Sequence, residues 1–133
     1  MQRQMCNAQV ASAGTAVLFA VPAHAEGDAA AGEKVFVKCK ACHENEKGVN
    51  KIGPTLKGVV GRKVASVPDF KYSAAMTAFG ATGAVWDEAT LTKYLPSPKA
   101  LVPGTKMSFA GISKQADRVN LIAYLRTLSD SPL

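Results

Sequence analysis

Cys39-Lys40-Ala41-Cys42-His43 is the stretch of this chain whose residue types and spacing define a chemistry. Two thiols three positions apart can add as thioethers across the two vinyl groups of a single porphyrin. The next residue then lies under the iron, where an imidazole nitrogen serves as the proximal ligand. On this reading Cys39 and Cys42 hold one haem c and His43 binds its iron. Two rivals use the same residues. A redox dithiol sits where a strand turns into a helix in a βαβ setting, and no such alternation surrounds residues 39–42. A zinc site needs about four ligands. The chain has three cysteines and two histidines, and Cys6 and His24 fall in an opening segment with the features of a leader. The remaining two cysteines and one histidine are too few for zinc without carboxylates.

One histidine leaves the far face of the iron to methionine, lysine, water or nothing. His43 is the only histidine beyond the opening segment, so bis-histidine ligation is excluded. Met76 falls in a short helical stretch, where methionine is more often core filler than ligand. Met107 falls in a loop beside Pro103 and Gly104, a turn that can project a thioether inward, with Thr105 and Phe109 offering a hydroxyl and a ring to the same pocket. Lys106 competes if its ammonium loses a proton. A metal-bound histidine usually donates its other ring N–H to a carbonyl or carboxylate. The Pro54 carbonyl is one such acceptor, and an ordinary turn proline is the alternative. Trp86, the only tryptophan, is a core residue whose indole N–H needs an acceptor; a haem propionate or a backbone carbonyl would serve.

The elements that must place these groups are helical. Asp28 caps a helix predicted over 29–40, with Val35, Phe36 and Cys39 on one face and Gly32 where another helix could cross closely. Residues 44–72, rich in Gly and Pro, read as loop. Ser73 caps a short helix to Phe79, closed by Gly80. Residues 87–95 form another, stopped by Pro96, and 96–112 is loop again. Ser113 caps a final helix through Leu128, with Val119, Leu121, Ile122, Leu125 and Leu128 on a broad apolar face. No strand-like alternation or repeat is present, so the fold class is all-α.

The chain has 133 residues, room for one domain. Residues 1–25 read as a secretory signal peptide: Arg3, then an uncharged apolar run over 10–21, then Ala23-His24-Ala25 as a small-x-small cleavage site. The run is shorter than a membrane span; a disordered extension or an uncleaved anchor is the alternative. Cleavage would leave a domain over 26–133, exported to the periplasm, with both remaining cysteines used by haem. The formal charge is +6, carried by scattered lysines. No basic run is interleaved with stacking aromatics, which argues against nucleic acid. The basic balance is either plain solvation or a field that steers the protein to acidic partners.

CKACH, GPTLKGVVGR, FKYS, the lone Trp86, KYLPSPKALVPGTKMSFAGI and NLIAYLRTL, taken together from about Gly27 to Ser129, resemble the class I cytochromes c, especially mitochondrial cytochrome c and its soluble bacterial periplasmic relatives. The resemblance implies their all-α fold, with N- and C-terminal helices crossing and short helices and long loops wrapped around one covalent haem. It implies His43 and Met107 as axial ligands of the iron and Pro54 as the acceptor for His43. It places Arg62, Tyr72, Trp86 and Thr105 around the propionates, the Tyr94 hydroxyl near the methionine sulfur and Phe109 over one haem face. Gly32 and Phe36 would meet Leu121 and Tyr124 at the helix crossing. The implied function is a monomeric one-electron carrier, not an enzyme, with at most transient contact with a membrane surface. Its partners would be acidic surfaces of a quinol–cytochrome c reductase, a terminal oxidase, a reaction centre or a dehydrogenase, met through Lys38, Lys51, Lys99, Lys106 and Lys114. A donor dedicated to one periplasmic dehydrogenase is the second reading, and an open-site haem enzyme or sensor the third. The chain departs from the family at Met76, where mitochondrial members often have a polar residue near buried water. It also departs at Pro96, Ala100 and Leu101, which thin the usual lysine run.

Overall fold

A computed structural model describes Gly14 and residues 27–129; apart from Gly14, the leader expected over residues 1–25 lies outside the described residues. Within the described residues five helices follow in order: α1 Ala29–Phe36, α2 Ala74–Ala81, α3 Glu88–Tyr94, α4 Pro98–Leu101 and α5 Gln115–Arg126. Among the described residues the only β pairing is an isolated antiparallel bridge between Lys63 and Val85.

The caps explain most of the helix starts. The Asp28 carboxylate accepts from the Ala30 and Ala31 N–H groups, the Ser73 hydroxyl from Met76, and the Asp87 carboxylate from Thr90. Each satisfies donors that a helix start leaves without partners. Most boundaries differ from the sequence expectation: α2 runs through Gly80 to Ala81, α3 is one residue shorter at each end, α5 ends at Arg126 and not Leu128, and three further differences follow. α1 ends at Phe36 and the chain then tightens: Cys39 N–H bonds the Phe36 carbonyl and Cys42 N–H the Cys39 carbonyl. These three-residue turns carry the chain through the CKACH stretch in place of a continued α-helix. α4 lies inside the expected 96–112 loop, begun by Pro98, whose fixed φ suits a first helical turn. α5 starts one residue later than expected, with Lys114 and not Ser113 at the cap and no side-chain cap bond. Here Arg118 donates to the Ile112 and Ser113 carbonyls and ties the entry down.

The core is built where α1 packs on α5. Phe36 is 0% and Leu121 1% exposed, and the Phe36 and Tyr124 rings meet at 5.2 Å with planes tilted by 53°. Gly32 makes the approach possible. A Cβ there would lie 1.9 Å from the Asn120 carbonyl oxygen and 2.8 Å from Tyr124 Cβ. The Asn120 side chain accepts from Asp28 N–H at 2.9 Å, which fixes the register of the crossing. The same core continues through Val59, Val64, Trp86, Leu91, Tyr94, Val102 and Ile112.

Candidate functional site

His43 is half-buried and positioned from two sides. Its Nδ1 lies 2.7 Å from the Pro54 carbonyl oxygen. A carbonyl has no proton to give, so Nδ1 carries the hydrogen and Nε2 keeps its lone pair for a metal. Gly53 lies flat under the ring: a Cβ there would come within 2.3 Å of His43 Cε1. Gly53 N–H bonds the Cys42 carbonyl at 2.7 Å, so the Gly53-Pro54 corner is stitched to the CKACH turn. Burial lowers the His43 pKa, opposed by the Pro54 bond and assisted by the Arg62 and Lys51 charges. The ring is therefore held as neutral imidazole, the form that ligates.

Cys39 is half-buried and Cys42 exposed. Burial pushes the Cys39 thiol up to about 11, partly offset by Lys38. A redox dithiol works through a lowered thiol pKa, so this direction disfavours that rival. For zinc, no group of three or more His, Cys, Asp or Glu side chains converges among the described residues.

The residues expected around a haem join through contacts. Segment 61–64 is clasped to 84–86: Gly61 N–H bonds the Trp86 carbonyl, Trp86 N–H the Arg62 carbonyl and Val64 N–H the Ala84 carbonyl. Trp86 is buried and its ring meets that of Tyr94 at 4.7 Å, the planes tilted by 55°. The Tyr94 hydroxyl donates to the Met107 sulfur at 3.3 Å. Burial holds the Tyr94 phenol protonated, its pKa pushed up to about 12, with the Thr105 hydroxyl acting the other way. Thr105 Oγ1 accepts from Met107 N–H at 3.3 Å and lies beside the Met107–Tyr94 pair. Phe109 is half-buried against the same core. Ile112 N–H bonds the Leu95 carbonyl at 2.8 Å and closes the base of the loop that carries Met107.

Arg62 tests whether this chain fits a haem. Its Nη1 donates to the Lys57 carbonyl at 3.2 Å, but its Nε is buried with no hydrogen-bond partner among the described residues. A buried guanidinium N–H without an acceptor is costly, and a carboxylate is its natural complement. Tyr72 stands electrostatically near Arg62, and its oxygen accepts from Val67 N–H at 3.0 Å, leaving the phenol proton for another acceptor. A propionate suits both donors, so the residues fit the group.

Three positioning residues escaped the sequence reading. Gly53 had a signal, its place just before Pro54. Asn45, whose amide donates to the Tyr124 hydroxyl at 2.6 Å, and Asn50, which bonds Thr55 N–H and the Pro68 carbonyl, had none.

An all-α fold with a Cys-x-x-Cys-His turn, a seated imidazole and a thioether held by a phenol defines a class I c-type cytochrome. The comparisons agree. The sequence profile of the family "Cytochrome c" matches residues 29–129. The cytochrome c2 of Rhodomicrobium vannielii is 47% identical over 120 residues, 90% of this chain and 94% of that protein. Among solved structures, cytochrome cH from Methylobacterium extorquens superposes with a TM-score of 0.69 at 51% identity, covering 76% of this chain and 99% of that one. Cytochrome c2 from Rhodospirillum centenum gives a TM-score of 0.73 at 36% identity, covering 77% and 99%. The chain belongs to the cytochrome c family. It is an electron-transfer protein, not an enzyme, and carries a haem c bound covalently at Cys39 and Cys42.

Proposed function

We propose that the protein is a soluble periplasmic one-electron shuttle whose haem iron takes His43 and Met107 as its axial ligands. The observation that carries this reading is the Tyr94 hydroxyl on the Met107 sulfur at 3.3 Å. It supports Met107 over Met76 and Lys106, because a thioether oriented by a buried donor inside a closed loop has a set direction that core filler does not need. When bound, the haem supplies an iron that exchanges one electron between its ferrous and ferric states.

The chain's own residues do the rest. His43, fixed by Pro54, offers a neutral nitrogen, and Met107 a soft sulfur; neutral donors in a dry pocket favour the lower metal charge. Arg62, Tyr72, Trp86 and Thr105 would hold the propionates, the guanidinium supplying the opposite charge. Phe109 would screen one haem face. Lys38, Lys51, Lys99, Lys106 and Lys114 are all exposed and steer acidic docking faces, such as those of a quinol–cytochrome c reductase, a terminal oxidase, a reaction centre or a dehydrogenase, into brief, salt-sensitive encounters. The apolar run and small-x-small site within residues 1–25 support export and cleavage after Ala25. Among the described residues no helix is long and apolar enough to cross a membrane.

The test is the absorption spectrum of the exported protein, reduced and oxidised, with and without carbon monoxide. A low-spin reduced spectrum unmoved by carbon monoxide is expected. A prompt shift would mean an open iron and would overturn the Met107 assignment.

A further inference from the structure

Asn50 spans two loops. Its Nδ2 donates to the Pro68 carbonyl at 3.2 Å, and its Oδ1 accepts from Thr55 N–H at 3.0 Å. That N–H belongs to the same peptide group as the Pro54 carbonyl, which accepts from His43 Nδ1 at 2.7 Å. Four groups therefore stand in series: the Pro68 carbonyl, the Asn50 amide, the Pro54–Thr55 peptide and the imidazole. Every link is oriented donor to acceptor in the same sense.

We propose that Asn50 is a positioning residue that strengthens the His43–Pro54 hydrogen bond by polarising the peptide they share, and so tunes the iron's proximal ligand. A peptide is one resonant unit. Accepting a hydrogen bond from its N–H moves electron density onto its oxygen and makes that oxygen a better acceptor, and such chains reinforce one another where the local dielectric is low. Thr55 is 6% exposed, which supplies that setting. A stronger acceptor at Nδ1 makes the imidazole more electron-rich and the ligand more basic, which favours the ferric state.

The peptide is also held independently of Asn50. Thr55 Oγ1 donates to the Glu44 carbonyl at 3.2 Å, and Leu56 N–H donates to the same oxygen at 2.8 Å. Removing the Asn50 amide thus withdraws polarisation while leaving the peptide anchored. Asn50 also borders an open cleft of about 430 Å³, lined with Thr55, Lys57, Arg62, Val67 and Pro68, so a side chain of similar size is accommodated there.

The proposal rests on His43 being the iron ligand. Two variants of the haem-loaded protein test it: Asn50→Leu, which loses both bonds, and Asn50→Asp, which keeps the acceptor for Thr55 N–H but loses the donor to Pro68. The readouts are the nitrogen–proton NMR signal of the His43 ring N–H in the reduced protein, its solvent exchange, and the midpoint potential in high salt. Asn50→Leu is expected to move the ring proton upfield, speed its exchange about tenfold, as for the weakening of one hydrogen bond, and raise the potential. Asn50→Asp is expected to keep the ring proton at or downfield of its original position. Equal upfield shifts in both variants, or none in Asn50→Leu, would make Asn50 a simple staple between loops and overturn the proposal. If Asn50→Leu fails to fold, Asn50→Asp decides alone, an upfield shift counting against. None of these outcomes alters the carbon monoxide response of the unsubstituted protein, so failure here is distinguishable from failure of the axial-ligand assignment.

Discussion

Met107 and His43 are held by different physics, and their substitutions should behave differently. Met107 is oriented by one hydroxyl and one loop. Met107→Ala is expected to leave the haem attached through Cys39 and Cys42, lower the potential and admit carbon monoxide. An unchanged potential would reassign the ligand. Glu44, beside His43, makes a local pH prediction of another kind. Its carboxylate accepts from the Lys47, Glu46 and Val49 N–H groups. These bonds, Lys47 foremost, pull its pKa from 4.5 to about 2. A carboxyl with a depressed folded pKa stabilises the fold above its unfolded value, and that contribution fades as pH falls. The turn over 46–49 should therefore loosen between pH 4.5 and about 2, and Glu44→Gln should remove the effect. The Glu44 carboxyl carbon shift, followed by NMR, checks this: a midpoint in the ordinary glutamate range would refute the three-donor geometry.

The crossing of α1 and α5 sets two helix-level effects against each other at Gly32. Alanine is a better helix former than glycine by about 1 kcal/mol. Against that, its Cβ would overlap the Asn120 carbonyl at 1.9 Å, and overpacking of a tight contact costs about 1–3 kcal/mol or more. Because the nearest atoms are backbone, which cannot swing aside, the overlap wins. Gly32→Ala is expected to lower the melting temperature by several degrees, on the scale of roughly 4–8 °C per kcal/mol for a domain this size. A variant more stable than the parent in thermal melts would mean that the helices separate at little cost. The Glu88–Arg126 pair between α3 and α5 is half-exposed on both sides and contributes at most about 1 kcal/mol. Helix pairing here rests on Phe36, Leu121, Tyr124 and Leu125.

Short helices, long loops and a small core make the molecule dependent on its cofactor. α2, α3 and α4 have 8, 7 and 4 residues, all below the length at which an isolated helix is stable in water. A group that binds only the folded chain adds its binding energy to stability. Stringently haem-free protein is expected to lose most of its helical circular dichroism; native-like helicity without haem would contradict this.

Much of this was legible in the residues. Local rules set the caps at Asp28 and Ser73, the helical class and the apolar face of α5, because each depends on neighbours within a few positions. The resemblance of whole motifs carried Met107, Tyr94 and Arg62 as site residues. The chain in isolation left open whether Pro54 was an acceptor or a turn proline; folding decided it, by bringing its carbonyl to 2.7 Å from His43 Nδ1. Gly53 under the imidazole, the unpaired Arg62 Nε and the run from Pro68 through Asn50 to His43 were likewise decided by tertiary structure. The reason is physical. Residues 44–72 have no periodic pattern to constrain them, and their contacts join positions 11 to 18 apart. Such contacts exist only after loops have closed over a shared core, so spacing along the chain says nothing about which polar groups will meet.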